Sequence, residues 1–234
     1  MGEHFQWNKT NKFAIFLETW VGSLATYFSD MLHHNSRIND NELARIILRN
    51  RTETIHNAIQ ADGDLIIKFN KRAIRNPIIK NGKRQRNRVI SELAKIKANY
   101  CDEITGAYTF IGQYGAGYVE AHHMIEFSTE NGPDITDNLI CLNPDNHSRI
   151  HRGSDSVVED IHITIRTSQR IAAFERFKKM TNIYRCLTIE HVTILHNKKL
   201  ISLEGKTELL TLIQTNGVDP VFLNSLNTPA TRVH

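Results

Sequence analysis

Proline and cysteine are scarce in this chain: five prolines and three cysteines in 234 residues. Cys101, Cys141 and Cys186 are an odd number without close pairing, which argues against a disulfide framework and fits reduced thiols. No apolar run approaches the roughly 20 residues that a bilayer-spanning helix needs, and Met1-Gly-Glu-His-Phe-Gln-Trp7 has neither the basic start nor the apolar stretch of a secretory leader. The expectation is a cytoplasmic protein with no membrane partner. Internal repeats and low-complexity tracts are also missing.

An excess of one charge is missing only on average. The formal net charge is +4, yet between Lys68 and Lys97 there are eleven Lys or Arg against the single acid Glu92, a net +10 that leaves −6 for the rest. Cations gathered in one segment can neutralise phosphates and release their counterions, so the segment suggests a polyanion footprint. The alternative is a solvated helix-and-loop surface. The apolar fraction of 40% and charged fraction of 23% are ordinary for a folded chain, and the length suits one large domain or two small ones.

Thr10 to Leu32 carries Phe13, Phe16, Leu17, Trp20, Leu24 and Phe28 at helical spacing, a core stripe. Asn39 with Glu42 predicts the start of a second helix. Asp64 to Phe69 reads as a short strand. A helix is predicted from about Arg86 to Asn99, with Val89, Ile90, Leu93 and Ile96 on its buried face. Thr109-Phe-Ile111 and Gly117 to His122 read as a hairpin-like pair, Asn131 to Asp134 as a loop, and Asn138 to Leu142 as a brief extended piece.

Asn143-Pro144 has the chemistry of a helix start, and Gly153 is placed to end that helix. Beyond it, Asp160 to Thr167 alternates as a strand. Helices are expected near Ser168 to Met180, Ile189 to Lys198 and Thr207 to Thr215, with Gly205 separating the last two and a loose tail from about Ser225.

The densest chemistry lies between Glu120 and His151, where four histidines and Asn138 fall within thirty-two residues. His147 and His151, at i and i+4, share one helix face and can chelate one ion, with His122 as the natural third ligand. His123 is then left to face water as a general base, a task suited to an imidazole at neutral pH. Cleaving a phosphodiester needs both parts, a base for the water and a metal for the charge on the phosphate.

In these residues the segment from Tyr100 to Gly153 resembles the HNH, or ββα-metal, nuclease family. The resemblance implies His123 as the base, Asn138 as the residue that orients it through the loop, and His122, His147 and His151 as ligands of one divalent ion: Mg, Mn, Zn, Ni or Co. It implies an α+β fold with a central ββα-metal motif, residues 99–153. A mainly helical basic region, 1–98, and a small α/β region, 154–234, flank the motif. Many members carry two Cys-x-x-Cys pairs that hold a structural zinc. Here the corresponding stretches are Cys101-Asp-Glu-Ile104 and Asn143-Pro-Asp-Asn146, so a structural zinc is not expected and local packing must hold the motif.

The resulting expectation is a metal-dependent endonuclease acting on DNA, of restriction or defence type, working as a homodimer that makes double-strand breaks. Lys80, Lys83, Arg84, Arg86, Arg88 and Arg152 are the expected DNA contacts. Two alternatives stand beside it: a phage-type homing or nicking enzyme, and a catalytically silent DNA-binding module. Glu120 and Glu126 are candidates to orient ligand imidazoles or to face solvent.

Overall fold

In a computed structural model of the chain, residues 63–112 and 117–231 are described. The helices expected at Thr10 to Leu32 and after Asn39 lie outside these residues. Asp64 to Phe69, expected as a strand, falls within helix α1 (Gly63–Arg75). The pattern continues past the apolar run: Phe69, Asn70 and Ile74 are all buried, a spacing that one helix side accommodates, and the chain leaves the helix just before Pro77.

A small antiparallel hairpin follows, β1 (Ile78–Lys80) and β2 (Lys83–Gln85). Its two-residue turn is Asn81-Gly82, both at positive φ, 53° and 69°, which these residue types tolerate. Helix α2 (Arg88–Lys97) begins where the Asn87 side chain accepts from Val89 N at 2.9 Å. It buries Val89, Ile90, Leu93 and Ile96, the face that the sequence predicts.

The centre of the fold is the antiparallel pair β3 (Glu120–His123) and β4 (Leu139–Leu142), with His122 opposite Ile140 and His123 opposite Leu139. The strand partner thus comes from the segment after Asn138; the expected partner, Thr109 to Ile111, contributes a lone bridge between Ile111 and Gly117. All four residues of β4 are at most 1% exposed, and α2 packs against both strands. Between the strands the chain loops back closely. A Cβ at Gly132 would lie 2.0 Å from the Ile125 carbonyl oxygen, so this crossing admits glycine alone.

Helix α3 (Pro144–Arg152) forms where expected, capped by the Asn143 side chain, which accepts from Asn146 N at 2.7 Å. Then come α4 (Asp155–Thr167), α5 (Ala173–Asn182), α6 (Ile189–Asn197), α7 (Leu203–Asn216) and α8 (Pro220–Leu226). The alternating stretch Asp160 to Thr167 is therefore helical, not extended. Ile161, His162 and Ile165 are its buried residues, an i, i+1, i+4 set that packs between α3 and α5; tertiary contacts override the β-branched propensity.

Gly205 sits in the first turn of α7, where Gly205 N donates to the Ser202 hydroxyl, and does not separate helices. The expected loose tail is tied down as far as Thr231. Pro229 O accepts from Arg84 N and Thr231 N donates to Arg84 O, extending β2 in parallel. Among the described residues the architecture is α+β, with two two-stranded sheets among helices. Phe69–His234 forms one compact unit.

Candidate metal centre

Successive residues of a strand point to opposite faces, and β3 uses this to separate its two histidines. His122, 5% exposed, meets the two histidines of α3. Ring centroids are 5.3 Å apart for His122 and His147, 4.9 Å for His122 and His151, and 4.7 Å for His147 and His151. One nitrogen from each ring lies within 4.8 Å of the others. Three nitrogens on a tetrahedral ion sit about 3.3 Å apart, given metal–nitrogen bonds near 2.0 Å, so small ring movements close the set. The three histidines lie close enough to bind a metal ion.

Their electrostatics suit that role. Burial, and next the neighbouring His147 and His151, push His122 well below the usual imidazole range. Burial and His147 also lower His151, against an opposing pull from Glu126. Neutral rings keep lone pairs for a cation. Glu120, two residues before His122 and on the same face of β3, pairs through Oε2 with His147 Nδ1. That contact holds the ring by one nitrogen and leaves Nε2 for a ligand, a common support for metal-binding histidines.

His123 faces the other way and is 2% exposed. Its Nε2 lies 2.9 Å from Asp134 Oδ1, and its ring centroid is 5.7 Å from that of Phe127. Asp134 is fixed in turn, since its second oxygen accepts from Asn87 N at the start of α2. With a proton on Nε2, His123 Nδ1 is an acceptor, and it is the single buried side-chain polar atom without a partner among the described residues.

Asn138 is fully buried and staples the loop on both sides. Its Oδ1 accepts from Ile125 N at 3.0 Å, and its Nδ2 donates to Ile125 O and Pro133 O, each at 2.9 Å. The first pair fixes the chain two residues after His123; the third bond fixes the residue before Asp134.

Asp102 is fully buried and joins two segments of the chain. Its Oδ1 accepts from Ile104 N and Thr105 N, at 2.9 and 2.7 Å, while Oδ2 accepts from Asn143 N and Asn146 Nδ2, at 2.7 and 2.9 Å. A single carboxylate therefore joins the Cys101–Ile104 turn to the first turn of α3. Beside it, Glu103 accepts from Cys141 N and pairs with Arg176, which also donates to Leu139 O.

The basic residues divide. Lys80, Lys83, Arg86, Arg88 and Arg152 are exposed, whereas Arg84 is 3% exposed. Its guanidinium donates to Thr228 O and Asn131 Oδ1 and lies 5.1 Å above the Phe127 ring, so it is a structural cation and not a surface contact. Arg86 is near enough to lower both His151 and Glu126. Arg149 pairs with Asp145 on the same helix.

Asp102 and Asp134 are the site residues that sequence reasoning missed. Asp134 lies in the segment expected as a loop, and its closeness to His123 follows from the loop crossing at Gly132, which leaves no periodic trace. Comparisons with protein-family models, curated proteins and solved structures return no match. No helix among the described residues is long and apolar enough to cross a membrane.

Proposed function

We propose that the protein is a metal-dependent endonuclease of the HNH type, hydrolysing DNA phosphodiester bonds. The observation that carries the proposal is the split made by β3: His122 joins His147 and His151 in one three-nitrogen cluster, while adjacent His123 is held apart from them on Asp134. A divalent ion bound by those imidazoles would act as a Lewis acid toward the phosphate and the departing oxygen. His122 and His151, kept neutral, would hold it together with His147. Glu120 fixes the His147 ring.

His123 takes the proton from the attacking water at Nδ1, and Asp134, opposite Nε2, stabilises the imidazolium that forms. Asn138 keeps both residues in place by pinning the loop that carries them. Because His123 Nδ1 is closed to solvent, proton transfer requires the ring to turn or the loop between residues 124 and 134 to yield when substrate docks. Arg86 and Arg152 supply exposed positive charge for neighbouring phosphates. The finer expectations, restriction-type specificity and a homodimer, rest on the family resemblance.

The enclosure of His123 favours one second reading, a DNA-binding module that no longer cuts. Incubating the protein with supercoiled plasmid and each of Mg, Mn, Zn, Ni and Co, beside His123→Ala, separates the two. The nuclease reading expects nicked or linear product with 5′-phosphate and 3′-hydroxyl ends, reduced by about 100-fold or more in the variant. Equal cutting by both proteins, or no cutting with any metal, refutes it.

A further inference from the structure

We infer that Phe110 and Tyr118 form a stacking platform for an unstacked nucleobase beside the metal centre. The inference rests on the nuclease reading above and adds to it the part of the substrate that is not phosphate. Tyr108, Phe110, Ile111 and Tyr118 are 51%, 50%, 52% and 40% exposed, a run of large apolar side chains on the segments leading into β3. Soluble proteins seldom leave such surface without a use. The Phe110 and Tyr118 rings are nearly parallel, 4.9 Å between centroids and 12° between planes.

The backbone presets this pair. Tyr118 N donates to Phe110 O at 2.9 Å, and Ile111 bridges to Gly117. Gly117 itself is required, because a Cβ there would lie 2.3 Å from Tyr100 O and 2.6 Å from the Tyr108 Cβ. The rings lose little conformational freedom on binding, since they are already placed.

The stack is linked to the metal centre. Tyr118 donates its hydroxyl to Glu120 Oε1 at 3.2 Å, and the other oxygen of Glu120 holds His147. Two hydrogen bonds thus span the gap from ring to candidate ligand. Successive nucleotides of one strand advance only about 3.4 Å along a duplex, so a phosphate at the three histidines brings its own bases within reach of the rings.

The charges agree with a nucleic acid strand as the occupant. The exposed cations Arg86 and Arg152 are available to phosphates, whereas the platform presents apolar π-faces, matching the anionic edge and flat aromatic edge of a strand. Every base has a π-face, so the platform accepts any of them. It favours a strand whose base is already out of the stack, as in single-stranded or mismatched DNA.

The test compares two 20-mers with the same number of phosphates: oligothymidylate and an abasic deoxyribose-phosphate polymer. Binding is read by fluorescence anisotropy in EDTA, so that nothing is cut. Wild type should bind oligothymidylate about tenfold more tightly than the abasic polymer. Phe110→Leu should erase most of that preference and leave affinity for the abasic polymer unchanged.

Equal affinity of wild type for the two polymers overturns the inference, as does a Phe110→Leu variant that weakens both alike. It is also overturned if wild type sediments as a dimer that Phe110→Leu splits while the polymer preference persists, since the patch then covers a second copy. A protein that cuts plasmid but ignores the bases loses only the platform. One that neither cuts plasmid nor binds either polymer loses the nuclease reading as well.

Discussion

Replacing Asp102 by alanine should destabilise the domain strongly, because one carboxylate joins two segments about forty residues apart in the chain. The side chain is fully buried and accepts from Ile104 N, Thr105 N, Asn143 N and Asn146 Nδ2 at 2.7 to 2.9 Å. Thr105 is exposed and Ile104 partly so, and water can replace their acceptor. Asn146 is buried and Asn143 half-buried, so their two donors lose charge-assisted bonds with less compensation. At about 1.5–3 kcal/mol for each hydrogen bond to a charged group, the loss is roughly 4 kcal/mol. For a domain of this size that lowers Tm by roughly 10 °C. Asp102→Asn keeps the shape but turns an amide NH2 toward two donors in either orientation, and should lose about half as much.

Thermal unfolding by circular dichroism, with and without EDTA, provides the assay. Wild type in EDTA should still unfold in one cooperative transition, since the bonds at Asp102 are all to donors of the protein itself. An Asp102→Ala protein that melts within about 2 °C of wild type would show that packing alone holds the two segments.

Two further outcomes follow from the geometry. Glu120→Gln removes the charge that holds His147 Nδ1 and should weaken zinc binding by about tenfold or more, measured by competition with a chromophoric chelator; affinity within twofold of wild type would remove Glu120 from the site. Stability should also fall below pH 6.5. Burial pushes His191 down to about 4, and its ring is used in the neutral form, accepting from Thr188 N through Nδ1 and facing Glu130 O through Nε2. The unfolded state takes up a proton near pH 6.5 that the folded state refuses until about 4. His191 therefore contributes stability that is full above 6.5 and is lost as pH falls, about 2 kcal/mol by pH 5. Urea unfolding of wild type and His191→Gln at pH 7.5 and 5 checks the sign; equal losses in the two proteins would refute it.

The elements legible in the sequence are those whose signals are local. Asn143-Pro144 and Gly153 bound α3 because a cap and a first-turn proline act within a few residues, and the i, i+4 spacing of His147 and His151 then follows from helix geometry. The face of α2 was legible for the same reason. Asp64 to Phe69 and Asp160 to Thr167 form helices because a short β-branched run is ambiguous by periodicity, and the burial of Phe69, Ile74, Ile161 and Ile165 on helix faces decides it.

The same distinction divides the candidate site. Its metal-binding half is written in spacings of one to four residues, and only the approach of β3 to α3 is long-range. Its supporting half is long-range throughout: Asp134 reaches His123 across 11 residues, Asp102 reaches Asn143 and Asn146 across 41 and 44, and Arg176 reaches Glu103 across 73. A Cys-x-x-Cys pair announces a zinc joint because the metal needs two thiolates at close spacing from each side. A carboxylate joint needs one residue on one side and ordinary N–H donors on the other, so it carries no spacing rule. Asp102 makes such a joint, and its four hydrogen bonds follow from contacts that a spacing rule cannot find.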